Sequence, residues 1–403
     1  MLAAVAASSQ VFNIQDTLNS TTAEGVSRLD IDSSSRFFID QDDRQVLLHG
    51  VNVVYKVTPY IPSTGDWDTE DSLDDHDIEL LKQWGFNFVR LGVMWEAVER
   101  EEGVYDEEYL NKVETMINKL GDAGIYTLVD AHQDVFSRQI CGEGVPTFWA
   151  EKAIGKHPVC FNNILDPILS PLLSHFGLCT DINDMGYSYD EDGLPTIPDC
   201  QSRDFYTYYM TKESMEAFHS LLVTNAHGVQ DAFVNFWDRV TERFAGNNYV
   251  VGYDPLNEPF PGNPTRDLSL TWPGKFDREY LQPLYSKIYT NAKKHDSTKH
   301  LWFEPVPFPD EMGIFGGYVF NTGFTEPPGA EMGSPYHALN DHTYCCQMNS
   351  KECLTGEPKI EDYDKCLAFH QKRLYTRDED ATALGVPFIV TEFGACLTEG
   401  PCT

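Results

Sequence analysis

Short apolar runs closed by turn residues alternate along this chain with segments of helical spacing. Arg36 to Asp40 and Arg44 to His49 flank a polar Gln-Asp-Asp turn and predict a β-hairpin. The apolar run from Val46 to Val54, ending at Tyr55-Lys56, predicts a first strand beyond it. Asn87 to Trp95 predicts a second and Tyr126 to His132 a third. Tyr249 to Tyr253, broken by the turn that carries Asn257 and Glu258, predicts a fourth. His300 to Pro305, Leu339 to Tyr344 and Phe388 to Glu392 predict three more. Between them, apolar residues recur at 73, 78, 81 and 84, at 110, 113, 117 and 120, and at 229, 233, 236, 240 and 244. These are helical stripes, the first closed by Gly85 and the third by Gly246. Strands alternating with helices predict parallel βα units, hence an α/β fold. With this many units the architecture expected is a (β/α)8 TIM barrel, with the early hairpin plugging its bottom.

Three segments break the pattern. Residues 1–34 are polar and read as a leader or weakly ordered arm, leaving 35–403 as the barrel domain. The opening Met-Leu-Ala-Ala-Val-Ala-Ala-Ser-Ser has no basic residue; it fits the tail of a cut signal peptide but not a complete one. The stretch from about 135 to 205 is too long for a βα loop and reads as a functional insertion or subdomain. It holds four cysteines and an apolar patch from Phe161 to Leu178, broken by Pro167 and Pro171. About ten residues follow the seventh strand. The expectation is a barrel cut before its eighth strand, with an open seam between strands one and seven. The alternative is that a segment read as loop supplies the missing strand.

Composition narrows the function. A net charge of -34 repels phosphate backbones, which excludes nucleic acid as a partner, and disfavours plain attraction to anionic lipid. No run of about 18 uncharged apolar residues occurs, so a spanning helix is not expected. The ten cysteines, at 141, 160, 179, 200, 345, 346, 353, 366, 396 and 402, form no Cys-x-x-Cys pair. That pattern disfavours zinc and favours disulfides in an oxidising compartment, with the connectivity left open. Asn19-Ser-Thr is a glycan acceptor sequence.

In a barrel the carboxyl ends of all strands meet at one mouth. That geometry groups Lys56, Arg90, Asp130, His132, Asp134, Asn257, Glu258, His342, Tyr344 and Glu392, although they span over 300 positions. Two strand-end glutamates in one barrel point to a two-carboxylate glycosidase. Glu304, also at a strand end, is a rival carboxylate. The bland readings are a structural ion pair for Arg90, a satisfied core histidine for His132 and a solvated rim charge for Lys56.

Six blocks in order then resemble glycoside hydrolase family 5, a (β/α)8 family of clan A, and within it the endoglycoceramidase branch. They are Gly50-Val-Asn-Val-Val-Tyr-Lys56, Asn87-Phe-Val-Arg-Leu91, Asp130-Ala-His-Gln-Asp-Val-Phe136, Asn257-Glu-Pro259, His342-Thr-Tyr-Cys345 and Thr391-Glu-Phe-Gly394. The resemblance implies Glu258 as acid/base and Glu392 as nucleophile of a retaining hydrolase. It implies that Arg90 and Tyr344 steady Glu392, and that Asn257 binds the sugar 2-hydroxyl. Lys56, Asp130, His132 and Asp134 would bind other hydroxyls, and His342 would line the pocket. The implied substrate is a glycosphingolipid cut between oligosaccharide and ceramide, with no metal or organic cofactor. The implied location is secreted or lumenal, with peripheral contact to a membrane or micelle.

The Phe161 to Leu178 patch is a candidate groove wall or membrane-touching lid for ceramide, or packing on the barrel's outside; Phe308, Phe315 and Phe320 are other candidates. The family's strand-eight tryptophan and C-terminal β-sandwich have no counterpart here. Two alternatives stay open: a β-glucosidase acting on glucosylceramide or a steryl glucoside, and an inactive glycolipid-binding barrel.

Overall fold

The computed structural model describes residues 26–65, 67–68, 72–161, 170, 178–203, 205–307, 319–344 and 363–393. The chain enters through a small antiparallel sheet of β1 (Asp30–Asp32), β2 (Phe37–Ile39) and β3 (Gln45–Val46). It then builds β4 (Gly50–Val53) and β5 (Phe88–Gly92), and a short hairpin of β6 (Glu99–Glu101) and β7 (Val104–Tyr105). β8 (Tyr126–Asp130), β9 (Val250–Asp254), β10 (His300–Phe303), β11 (His337–Thr343) and β12 (Phe388–Phe393) follow. One seven-stranded sheet, in the order β12-β11-β10-β9-β8-β5-β4, has every neighbouring pair parallel. This is the barrel sheet expected from the seven apolar runs.

Helices cover its outer face: α1 (Asp75–Gln83), α2 (Glu107–Asp122), α3 (Thr147–Ile154), α4 (Lys212–Phe218), α5 (Val229–Arg243), α6 (Gln282–His295) and α7 (Tyr363–Leu384). Asp74 caps α1 through the backbone N–H groups of His76 and Asp77, while Asp77 reaches back to the Asp74 N–H. The stripe Leu110, Val113, Ile117 and Leu120 of α2 is wholly buried, as its spacing predicts. α3 lies inside the stretch read as an insertion. Phe136, Ile140, Trp149, Cys160, Cys179 and Ile182 all join the main apolar core, so much of 135–205 is built into the barrel wall. Disulfides Cys141–Cys200 and Cys160–Cys179 fasten it, and Cys366 is also disulfide-bonded.

The hairpin does plug the floor. Phe38 stacks on Trp302 at 5.3 Å, and Phe88 stacks on the same indole at 5.4 Å. Leu29 and Ile31 are buried in this floor cluster with Tyr126, Leu128, Val251 and Ala338. Residues 26–34, read with the leader, therefore belong to the plug: Ile31 pairs with Phe38 across β1 and β2. Gly252 is required here, since a Cβ would come within 2.9 Å of the Trp302 indole and 2.5 Å of the His300 carbonyl oxygen.

Strand alternation then turns the floor into a site. Two residues above Phe88, Leu128, Gly252, Trp302 and Ala338 stand Arg90, Asp130, Asp254, Glu304 and Asn340. All five are buried polar groups, a layer resting on an apolar base. The five inner strands are buried at every position, whereas β4 and β12 are mostly half-buried. Asn52 of β4 reaches across to β12, donating its amide N–H to the Thr391 carbonyl at 3.0 Å. Among the described residues, no helix is long and apolar enough to cross a membrane. The leader to residue 25 with Asn19, most of the Phe161 to Leu178 patch, Phe308, Phe315, and cysteines 345, 346, 353, 396 and 402 lie outside the described residues.

Candidate active site

Glu258 leaves the end of β9 with φ +40, a left-handed conformation that costs a non-glycine residue about 1–3 kcal/mol. Its neighbours hold it there. The Glu258 N–H donates to Glu304 Oε2 at 3.0 Å, and Gln133 Nε2 donates to the Glu258 carbonyl at 3.3 Å. Glu392 points from β12 into the same mouth. One carboxylate oxygen of Glu258, one of Glu392 and a ring nitrogen of His342 lie within 4.8 Å of one another. The two carboxyls are therefore close neighbours, as in retaining enzymes, where they stand about 5–5.5 Å apart, and not at the wider separation of inverting ones.

The two glutamates have opposite surroundings. Burial raises the Glu258 carboxyl above the ordinary glutamate value, and the Glu392 charge adds to this against the pull of His342. Burial acts on Glu392 too, but the charges of His342 and Arg90 outweigh it and hold Glu392 below the ordinary value. Tyr344 donates its hydroxyl to Glu392 Oε1. One carboxyl is thus pushed toward keeping its proton and the other toward losing it, the division that acid and nucleophile require.

Arg90 is the hub beneath them. Fully buried, it lies 3.1 Å from Asp130, 2.9 Å from Asp254, 3.1 Å from Glu304 and 3.2 Å from Glu392. It also donates to Asn257 Oδ1 at 2.9 Å. Asn340 donates to Asp254 at 2.8 Å and to Glu304 at 3.0 Å. Burial, then the Glu304 charge, pushes Asp254 well up, so Asp254 carries the proton of that pair. Glu304 is held down to about 2, against its burial, by the His342 charge and then Arg90.

His132 sits between two carboxylates, with Nδ1 2.8 Å from Asp130 and Nε2 3.3 Å from Asp134. Their charges, Asp130 first, raise it against burial to about 9. Lys56 is ion-paired with Asp134 and with Glu143, the latter at 3.0 Å. Burial and the Asp134 charge raise Glu143 to about 8, while Lys56 and His132 keep Asp134 ionised.

All ten strand-end residues therefore belong to one connected network. The sequence reading placed them but not their bonds. Both His132 nitrogens face protein carboxylates. Asn257 accepts from Arg90 and donates to the Gln133 carbonyl at 2.9 Å. His342 does more than line a pocket: Nδ1 lies 2.9 Å from Glu258 and Nε2 lies 3.1 Å from Glu304. Sequence reasoning missed Asp254, Asn340, Gln133 and Glu143. Asp254 had a findable signal, a polar residue closing an apolar strand, whereas Asn340 sits among other polar residues of β11. Glu143 had none, since nothing local marks which carboxylate of a long loop turns inward.

Two clusters, His132 with Asp134 and Glu143, and Glu258 with His342 and Glu392, have ligand atoms close enough to surround an ion. Each already holds a cation of the protein's own. Lys56 fills the first, and His342, whose pairing with Glu304 and Glu392 outweighs its burial, charges the second.

Comparison with known proteins bears on this geometry. The family model described as cellulase, glycosyl hydrolase family 5, matches residues 39–159 and 200–403. A protein of Hydra vulgaris named endoglycoceramidase is 30% identical over 343 residues, 85% of this chain and 60% of that protein. One of the same name from Cyanea nozakii is 31% identical over 316 residues, 78% of this chain and 57% of that protein. The chain thus spans about three-fifths of these relatives. The structure of endo-glycoceramidase II from Rhodococcus sp. in its ganglioside GM3 complex superposes with TM-score 0.61 at 20% identity, covering 87% of this chain and 68% of that one. At that identity the likeness is one of fold.

Proposed function

We propose that this chain, which belongs to glycosyl hydrolase family 5, is the catalytic barrel of a retaining glycosidase that cleaves the bond between an oligosaccharide and ceramide. The observation that carries the reading is the pairing of Glu258 and Glu392, oxygens within 4.8 Å and carboxyl pKa values shifted in opposite directions. Glu392 attacks the anomeric carbon while Glu258 gives its proton to the departing ceramide oxygen. The sugar is left covalently on Glu392. Glu258, now a carboxylate, takes a proton from water, which releases the oligosaccharide with retained configuration. Arg90 and Tyr344 hold Glu392 in position and spread its charge. Asn257, fixed by Arg90 and Gln133, keeps a second amide hydrogen for the sugar 2-hydroxyl. Lys56, Asp130, His132 and Asp134 form the wall that meets the remaining sugar hydroxyls.

The lipid half of the substrate is supported by the named relatives and by the rim. Leu268 and Trp272, in the loop after Glu258, are 73% and 64% exposed, and Val57 and Trp67 lie exposed in the loop after β4. Both loops follow the carboxyl ends of barrel strands, the end at which the mouth lies. Each methylene such side chains cover is worth about 0.8 kcal/mol, so they suit a two-tailed leaving group drawn from a micelle or membrane surface. The disulfides accord with a secreted or lumenal setting.

The test is incubation of the purified chain with a ganglioside. Release of the intact oligosaccharide supports the reading. Release of a monosaccharide points instead to an exo-acting glucosidase, and binding without turnover to a lectin-like barrel. Glu392→Gln should abolish release, and undiminished turnover would remove Glu392 from its role.

A further inference from the structure

His342 stands at the junction of the two catalytic carboxylates, and its charge state decides where the acid proton sits. Nδ1 lies 2.9 Å from Glu258 Oε1 and 3.7 Å from Glu392 Oε2. Nε2 lies 3.1 Å from Glu304 Oε1 and 3.2 Å from Thr391 Oγ1. Thr391 donates its own hydroxyl hydrogen to Asn340 Oδ1, so toward Nε2 it can only accept. Nε2 therefore carries a hydrogen. Nδ1 has two options. If it is bare, it accepts the Glu258 proton on Oε1 and faces it away from the sugar. If it is protonated, it donates to Oε1, and the Glu258 proton must reside on Oε2.

We propose that Glu304 is a positioning residue that holds His342 as an imidazolium and thereby keeps the acid proton of Glu258 on Oε2, the oxygen free to meet the glycosidic bond. Glu304 is 2% exposed and places its second oxygen on the Glu258 N–H at 3.0 Å, fixing the backbone of the same residue. Among the charged groups around His342, Glu304 is the one that stays in place throughout the proposed reaction. Glu258, from the loop after β9, is the acid itself. Glu392 on β12, 3.7 Å from Nδ1, adds its charge in the resting state, but it is shared with Arg90 and hydrogen-bonded by Tyr344, and it is lost once the sugar is attached to it. Asp341, beside it on β11, is occupied by Arg373 at 2.7 Å and Arg377 at 3.0 Å from α7. Asp254 is the protonated member of its pair with Glu304. Arg90 also touches Glu304, yet it is a fixed charge that cannot answer to the state of Glu258.

The inference rests on the glycosidase reading above, but its first test does not need turnover. In the full chain labelled at histidine nitrogens, with His342→Asn to assign the signal, His342 should show both nitrogens protonated at about pH 6–7. In Glu304→Gln it should titrate to the neutral form within that range. A neutral His342 in the parent chain, or one unchanged by Glu304→Gln, overturns the proposal even if the chain hydrolyses gangliosides. The second test is kinetic. Glu304→Gln should lose roughly 10–100-fold on a ganglioside, whose alkoxide leaving group needs the acid proton. On a dinitrophenyl lactoside, which leaves unaided, it should lose far less. Equal losses on both mean that Glu304 only supports the fold. A chain whose His342 behaves as expected but which releases no glycan keeps the charge assignment and refutes the glycosidase reading.

Discussion

Gln133 and Asn257 clasp each other where the loops after the neighbouring strands β8 and β9 begin. Gln133 Nε2 donates to the Asn257 carbonyl at 2.7 Å, and Asn257 Nδ2 donates to the Gln133 carbonyl at 2.9 Å. Gln133 Oε1 also takes the Phe136 N–H at 2.9 Å. The loop after β8 and the loop that carries Glu258 are thus one rigid piece. Gln133→Ala breaks several buried bonds, each worth about 1 kcal/mol. It should lower stability by about 2–3 kcal/mol and kcat more than KM, because Glu258 loses its frame. Denaturant titration and ganglioside kinetics measure both, and an unchanged kcat would separate the clasp from catalysis.

The pH profile follows from the two glutamates. In the proposed mechanism the active form has Glu392 ionised and Glu258 protonated. Glu392 is lowered, so activity falls as pH drops through a value below the ordinary 4.5. Glu258 is raised, so activity falls again as pH rises through a value above 4.5. A bell in kcat/KM that brackets 4.5 is expected. A flat profile from about pH 4 to about pH 9 would contradict the assignment of the pair.

Arg90→Lys tests the hub. Lysine keeps one charge but cannot reach four carboxylates with a planar fork. Removing a buried cation's contacts costs about 3–5 kcal/mol. The variant should melt far below the parent chain, and retention of the parent Tm would show that Arg90 is not the counter-charge of the polar layer.

Cys200→Ser opens a loop of 59 residues between Cys141 and Cys200. Loop-closure entropy sets the effect at up to about 4 kcal/mol. The midpoint in guanidinium should fall for the variant, and reduction of the parent chain should lower it at least as far. No shift would mean that the described part of the insertion, which joins the core through Cys179 and Ile182, does not depend on the bridge.

The sequence disclosed the barrel because its strands are short apolar runs with sharp ends, and the ends are where function sits. Glu258 and Glu392 stood out through the turns and resemblance blocks around them. Glu304 stood at an equally clear strand end, yet nothing local shows that its carboxylate faces inward to His342 rather than outward to solvent. β1 escaped because Asp-Ile-Asp is too short and too polar to read as a strand; only pairing with Phe37–Ile39 makes it one. α6 went unread although Leu284, Tyr285, Ile288, Tyr289 and Ala292 lie buried on one face, a stripe the β9 loop before it obscured. Pairwise bonding, such as the two faces of His132, depends on distances that no linear pattern encodes.

The stacked rings of Phe38, Trp302 and Phe88 under the polar layer have a traffic consequence. Sealed along its axis, the barrel is a cul-de-sac, and everything that takes part in turnover shares one doorway. On the function proposed above, lipid alcohol, water and glycan would all have to pass through that doorway. Three aromatic rings beneath the polar layer thus leave the proposed hydrolase a single face on which to exchange product for water.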